Sequence, residues 1–239
     1  VIDPNYIYLN ILTKVHYNPD NTTLSASDIK TQVLTSIVDY KLLSLEKFDR
    51  NFRHSKFTRD IDETDDAILG NETSVTFQKR LTPTIGESKS YTLKFENPIH
   101  HPHDGHTFVV STSQFEYIKS DGTIASAYID DDGYGMLRIY ELLNDARSYI
   151  NTNIGKIDYE KGIITLSEFN PVSVLNTIIK FNCTPANKDI LSERNSILVI
   201  DTENSDAINV TVEPYIPYGT PNTSSSVSVT SSNNSSGGY

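Results

Sequence analysis

One segment, from Tyr6 to Val75, limits the possible folds of this chain more than any other part of the sequence. Residues 6–17 alternate apolar and polar side chains, which predicts a β-strand with one buried face. Ser25 or Ser27 can cap a helix, because apolar residues recur at helical spacing from there to about Tyr40. These apolar residues are Ile29, Val33, Ile37 and Tyr40, with Leu34 and Val38 widening the stripe.

The rest of this segment predicts two short helical pieces and a second strand. We expect a short helix near residues 45–52, a helical turn near 55–61 and a strand over 74–81. Two strands alone cannot bury a sheet face, so a third strand must come from elsewhere. Residues 207–215 and 196–201 both have suitable patterns. We therefore expect an α+β fold, in which a small α/β layer of strand, helix, helix and strand gains a C-terminal strand and carries an inserted β-rich domain.

This interpretation divides the chain into four parts. The clearest hairpin lies at 155–166, with its turn at 159–162. The Ser- and Asn-rich C-terminal end cannot bury enough surface to fold alone. The parts are 1–85, the first part of the α/β layer; 86–185, the inserted β-rich domain; 186–216, the strands that complete the layer; and 217–239, the tail.

Composition argues against several classes of function. The chain has 20 Lys and Arg against 31 Asp and Glu, a net charge of −11, and no basic run, which argues against nucleic-acid binding. Cys183 is the single cysteine, so no internal disulfide can form. No apolar run approaches the roughly 20 residues of a membrane-spanning helix, and no signal peptide is visible. We expect neither a nucleic-acid nor a membrane partner. Because the sequence begins at Val1 rather than Met, we expect a fragment of a longer protein.

The strongest chemical motif is the His-rich run from His100 to His106. It holds His100, His101, His103, His106 and Asp104, which could supply zinc ligands. Pro102 stiffens the loop, however, and the HExxH pattern of zinc hydrolases is absent. The two other histidines, His16 and His54, fall on the predicted layer. We expect a polar, exposed hairpin loop, with a metal-dependent hydrolase as the remote alternative.

Two other motifs favour structural roles. Asp130, Asp131 and Asp132 precede Gly133, but an EF-hand loop alternates its ligands, and Glu141 reaches position 12 only by coincidence. A solvated turn is expected there. Nucleophile and phosphate-binding motifs are absent, and Cys183 is expected to be a packed small residue. We therefore expect no enzyme, with no catalytic residue, no cofactor and no metal site.

Arginines recur near the second predicted helix. Arg50, Arg53 and Arg59 lie among acidic residues, namely Asp49, Asp60 and Asp62. They can form an ion-pair cluster between subunits, because arginine is enriched in interfaces. They can equally form ordinary surface pairs, each contributing less than about 1 kcal/mol.

An ordered series of short stretches is similar to a known family. They are Val15-His16-Tyr17-Asn18; Ile29, Val33, Ile37, Tyr40 and Leu45; Phe48; Phe52-Arg53-His54-Ser55; Ile61-Asp62; Gly155-Lys156-Ile157-Asp158-Tyr159; Gly162-Ile163-Ile164; and residues 208–213. The series resembles the C-terminal part of baseplate J-like proteins of contractile-tailed phages, in particular inner-ring wedge subunits of T-even-type baseplates. The central β-rich region with its His-rich loop does not align.

The resemblance implies a structural subunit of the virion. Such a late protein is assembled in the host cytoplasm, forms a homodimer, and contacts other wedge and hub subunits to close the inner ring around the tail hub. Leu34, Val38 and Leu42 give the predicted helix a second apolar face that a partner could cover. The alternative is a β-rich binding or adhesin-like module that recognises a glycan or a protein through exposed loops at 97–106 and 130–135.

Overall fold

A computed structural model describes residues 4–193 and 195–215, which form thirteen strands and two α-helices. The strands are β1 (Asn5–Tyr17), β2 (Ile68–Leu81), β3 (Lys89–Lys94), β4 (Val110–Thr112), β5 (Phe115–Ile118), β6 (Ile124–Asp131), β7 (Met136–Leu143), β8 (Ala146–Asp158), β9 (Ile163–Phe169), β10 (Ser173–Val174), β11 (Ile179–Cys183), β12 (Ser196–Val199) and β13 (Ile208–Pro214). The helices are α1 (Ala26–Ser44) and α2 (His54–Asp62).

The first sheet is centred on the long strand β1. Its order is β12-β1-β2-β11-β4, and β13 also pairs with β1. β12 pairs in parallel with residues 5–8 of β1, and β13 pairs in parallel with residues 11–17. The two C-terminal strands therefore lie end to end along the same side of β1, while β2 runs antiparallel on the other side.

The second sheet has seven antiparallel strands in the order β10-β5-β6-β7-β8-β9-β3. It includes the predicted hairpin, in which Ile157 pairs with Ile164. β4 of the first sheet contacts β6 of the second, whereas α1 packs against β13 and α2 against β2. Buried apolar side chains from both sheets and both helices form one continuous hydrophobic core.

Local sequence signals explain α1. Ser25 caps the helix: its hydroxyl accepts a hydrogen bond from the Asp28 backbone N–H, and the Asp28 carboxylate accepts one from the Ser25 N–H. This reciprocal pattern is a capping box. The predicted stripe of Ile29, Val33, Ile37 and Tyr40 is buried, and the helix continues to Ser44.

The predicted α+β fold class is wrong. The described residues are mostly β, with 46% in strands and 16% in helices, and the strands form two sheets. The cause is long-range strand pairing: β11 pairs with β2, and β4 pairs with β11, so strands from the middle of the chain extend the first sheet. The four-part division of the chain stays a prediction, and the tail falls outside the described residues.

The predicted helix at 45–52 is also wrong. Glu46 and Asp49 have φ angles of 57° and 60°, a left-handed conformation that interrupts a right-handed helix. Phe52 instead exchanges backbone hydrogen bonds with Ile190, at 2.9 and 3.0 Å. The ring of Phe52 is fully buried beside Tyr40 and Phe57. Packing against a distant segment therefore determines the backbone conformation of residues 45–52.

Candidate functional site

The outer surface of α1 carries exposed apolar side chains in its C-terminal part. Val38 and Leu42 are 36% and 56% exposed, one helical turn apart, and Leu43 beside them is 75% exposed. Leu34, one turn earlier, is only partly exposed because it packs against the core. We call Val38, Leu42 and Leu43 the α1 apolar surface. Exposed large apolar residues grouped in this way are typical of protein interaction sites.

A groove separates α1 from α2 next to this surface. It has a volume of about 600 Å³ and is lined in part by Leu43, Tyr40 and Lys56. Its two walls are joined where the Ser36 hydroxyl donates a hydrogen bond of 3.0 Å to the Asp60 carbonyl oxygen. Leu43 belongs both to the α1 apolar surface and to the groove, whose remaining lining is mostly polar.

The three consecutive aspartates have separate structural roles. Asp130 and Asp131 are buried, which corrects the expectation of a solvated turn at these two positions. Asp131 accepts backbone hydrogen bonds from Val109 and Val110, whereas Asp132 accepts them from Tyr134 and Met136. Their carboxylates are therefore already bound by protein donors.

Two arginines and two aromatic rings surround Asp130, and the sequence did not predict this cluster. Arg138 Nε donates to Asp130 Oδ1 at 2.9 Å, and Arg147 Nη1 donates to Oδ2 at 3.0 Å. The Arg147 guanidinium lies 3.5 Å from the ring centroid of Phe108, and that of Arg138 lies 4.3 Å from the ring of Tyr149. We call these five residues the arginine–aromatic surface.

Two guanidinium groups face one carboxylate in this surface, so it carries a surplus positive charge in an acidic chain. Burial raises the pKa of Asp130, while Arg138 and Arg147 act in the opposite direction. The buried carboxylate and the rings hold the two arginines in place. The arginine side chains therefore lose little conformational entropy when a partner binds them. Arginine and tyrosine are the residue types that most often dominate the binding energy of interfaces.

Residues 100–105 of the His-rich loop are exposed, and the last residue of the loop is buried. His106 is buried, and its Nε2 lies 2.9 Å from His101 Nδ1. The His101 ring stacks on Tyr159 with a centroid distance of 4.3 Å, whereas His100 and His103 face solvent. In the described part of the chain, no group of three or more His, Cys, Asp or Glu side chains is arranged to hold a metal ion.

The structure brings together the two loops of the binding-module hypothesis. Gly105 N–H donates a hydrogen bond of 3.0 Å to the Gly133 carbonyl oxygen. Tyr134 projects beside them and is 71% exposed. Residues 97–106 and 130–135 therefore contribute to one end of the molecule.

The three arginines of the predicted cluster do not all lie together in the structure. Arg53 pairs with Asp189 at 3.1 Å, far along the chain, and Arg59 lies 3.5 Å from Asp60 and 3.6 Å from Glu63. These arginines are more than half exposed, so each pair contributes little. Arg50 and Arg53 line one pocket together with Asp49, and Arg59 is not among its lining residues.

Cys183 lies in the core between β2 and β4. It is buried, and burial raises the pKa of its thiol well above the ordinary value. A thiol in this environment stays protonated, which makes it a packing residue rather than a nucleophile.

Comparison with known proteins identifies one part of the chain. Residues 5–80 match the family model described as baseplate structural protein gp6, C-terminal domain III. The match confirms the resemblance for β1, both helices and most of β2. It supports a structural role in a phage baseplate, in a family described by structure rather than by enzymatic activity. No curated protein matches significantly. Within the described residues, no helix is both long and apolar enough to cross a membrane.

Proposed function

We propose that this chain, whose residues 5–80 match a family of baseplate structural proteins, is a wedge subunit that helps to build the inner ring of a contractile-phage baseplate. The family match is the observation that carries the proposal. In this role the chain has a second copy of itself and other wedge or hub subunits as partners. It works in the virion, as a late protein assembled in the host cytoplasm, and it needs no cofactor.

The α1 apolar surface supports a self-association contact. Apolar surface removed from water contributes about 25 cal/mol per Å². The helix that presents it is fixed by a capping box and by a fully buried inner stripe, so the surface is rigid before a partner arrives. Rigid apolar surfaces suit permanent interfaces, which typically bury more than roughly 2,000 Å².

The arginine–aromatic surface supports a separate contact with another baseplate subunit. It lies on the second sheet, outside the matched residues, and its surplus positive charge suits a partner that presents carboxylates. A subunit with one apolar and one charged surface can bind two different neighbours at once, as a ring component must.

Light scattering across a concentration series tests the self-association contact. We expect the chain to form a dimer, and we expect Val38→Asp and Leu42→Asp to give folded monomers, because a carboxylate cannot be buried in an apolar interface without a partner. Leu175→Asp is the matched control, since Leu175 is 78% exposed in the turn before β11. Leu34→Asp is a poorer choice, because Leu34 also packs inward. A dimer that persists in both α1 variants would contradict this surface.

A second candidate function is the binding or adhesin-like module. The meeting of the loops at 97–106 and 130–135 beside the exposed Tyr134 favours it. Adsorption of the fluorescently labelled chain to host-cell envelopes tests it: Tyr134→Ala should abolish adsorption without changing the oligomeric state. Adsorption unchanged by this substitution would exclude these loops.

A further inference from the structure

A partly buried polar cluster lies at the start of β1, away from the surfaces described above. It joins four distant parts of the chain: Asn5, Lys79, Glu96 and Ser196. Lys79 is 5% exposed and Ser196 is fully buried. The Lys79 ammonium group donates to Asn5 Oδ1 and, at 2.6 Å, to the Tyr6 carbonyl oxygen.

The side-chain amide of Asn5 is held from both ends. Its oxygen faces Lys79, while Nδ2 donates to Ser196 Oγ at 3.2 Å and to the Lys94 carbonyl at 3.3 Å. Because Nζ is in hydrogen-bond contact with the oxygen, the amide carbon is the next atom along the C=O bond.

A proton relay lies on the nitrogen side of the same amide. Ser196 Oγ accepts from Asn5 Nδ2 and donates to Glu96 Oε2. A carboxyl group that reaches a departing nitrogen through one hydroxyl can act as a general acid and base. The amide therefore has an amine at its carbonyl end and, at its leaving-group end, a hydroxyl that links it to a carboxylate.

Burial increases the fraction of the Lys79 amine that is uncharged and therefore nucleophilic. Loss of solvation lowers the pKa of Lys79 to about 8, and Glu96 acts weakly in the opposite direction. About a tenth of the amine is then uncharged at neutral pH. An uncharged amine can keep one N–H on the Tyr6 carbonyl and turn its lone pair toward Asn5. Ile7, Phe181 and Leu198, all on strands of the same sheet, are fully buried, and a core of this kind limits competing hydrolysis.

We propose that Lys79 and Asn5 form an intramolecular isopeptide bond, a covalent modification that joins β1 to β2. Lys79 Nζ attacks Asn5 Cγ and forms the new C–N bond. The bond from Cγ to Nδ2 then breaks, and Nδ2 leaves as ammonia. Nδ2 takes up one proton through the hydroxyl of Ser196, and Nζ releases one proton, so the step balances. The step exchanges one amide for another and needs no oxidant and no cofactor.

The bond would close a covalent loop from residue 5 to residue 79, which encloses both helices and nearly all of the matched domain. Such a link limits the freedom of the unfolded chain and holds β1 against a pulling force. This inference is independent of the baseplate role.

Intact-mass spectrometry of the full chain, after incubation at about pH 8.5 to raise the uncharged fraction of the amine, tests the proposal. We expect a mass lower by one ammonia, about 17 Da, with a digest in which the peptides holding Asn5 and Lys79 are joined. A wild-type chain that keeps its full mass would overturn the proposal.

Variants separate this bond from other losses of ammonia. Lys79→Met should keep its full mass, and a loss that persists in this variant would indicate cyclisation of an asparagine and overturn the proposal. If Lys79→Met does not fold, Asn5→Asp gives an independent answer, because the bond would then release water, about 18 Da, instead of ammonia. Glu96→Gln should slow bond formation at least about tenfold, with the same final loss of one ammonia. An unchanged rate would remove Glu96 from the mechanism.

Discussion

The phenolic hydroxyl of Tyr159 donates a hydrogen bond of 2.7 Å to Oδ2 of Asp131, and both residues are buried. Oδ1 of the same carboxylate accepts the backbone N–H groups of Val109 and Val110, at 2.7 and 2.8 Å. Burial, and then Asp131, raise the pKa of Tyr159, so the phenol remains a donor throughout the stable pH range. One carboxylate therefore ties the start of β4 to the turn after β8.

Replacing Tyr159 with Phe should destabilise the protein by about 1–3 kcal/mol, because a buried carboxylate loses a donor while the ring packing is kept. Urea denaturation measures this change. Tyr134→Phe is the matched control, since that side chain is 71% exposed, and it should leave the free energy of unfolding within about 0.5 kcal/mol. Equal effects of the two substitutions would contradict the role of the Tyr159 hydroxyl.

Gly162 and Gly86 form a second matched pair. Both have left-handed backbone, with φ of 63° and 74°. An alanine Cβ at Gly162 would collide with the Asn97 carbonyl oxygen, whereas at Gly86 it meets nothing within 4 Å.

Gly86→Ala should therefore cost only the conformational strain, about 1–2 kcal/mol, and Gly162→Ala should cost more than about 3 kcal/mol. Thermal unfolding of the two variants compares them directly. A similar loss in both would show that the 159–162 turn can shift away from Asn97.

Replacing Arg147 with Gln should destabilise the chain by about 1–3 kcal/mol, because Asp130 is fully buried and would keep only Arg138 as a charged partner. Arg50→Gln, a substitution of an exposed arginine, provides the control in the same denaturation experiment. If both variants are as stable as wild type, Arg147 does not compensate the buried charge, and its role is confined to the interface.

Because of the capping box of α1, the free energy of unfolding depends on pH in the acid range. Hydrogen bonds from Ser25 lower the pKa of Asp28 below its ordinary value near 3.8. The contribution of this carboxylate is therefore complete above the pKa of the unfolded chain and is lost as the pH falls through the lower, folded value.

Wild type should consequently be more stable than Asp28→Asn at pH 7, and the difference should shrink as the pH falls below the ordinary aspartate pKa near 3.8. Denaturation curves at several pH values measure it. Asp39→Asn, an exposed substitution in the same helix, should show no comparable pH dependence. A constant difference between wild type and Asp28→Asn would show that the charge of Asp28 does not contribute.

The parts of the fold that local signals encode could be predicted. Ser25, the helical spacing from Ile29 to Tyr40, and the hairpin around Gly162 are each decided by residues within one element or one turn. The fold class was missed because it depends on which distant strands pair. Nothing in the short sequence of β4 indicates that it pairs with β11 rather than with a neighbour in the second sheet.

The same limit explains what was missed at the candidate interfaces. Val38 and Leu42 could be recognised because they repeat at helical spacing. Apart from Phe108, the arginine–aromatic surface needs the register of β6, β7 and β8: Asp130 lies opposite Arg138, and Tyr149 lies opposite Tyr140, whose ring centroid is 4.6 Å from the Arg147 guanidinium. Alternation along these three strands is the signal that could have placed these side chains on one face.

The end-to-end arrangement of β12 and β13 along β1 has a consequence for how this protein folds. The first strand of the sequence completes its hydrogen bonding only with residues 196–199 and 208–214, so much of the central sheet depends on contacts of very high sequence separation. Chains dominated by such contacts fold slowly. During synthesis one edge of β1 stays open until almost the whole described chain has left the ribosome, and this interval is when the nascent protein is most exposed to mispairing with other strands.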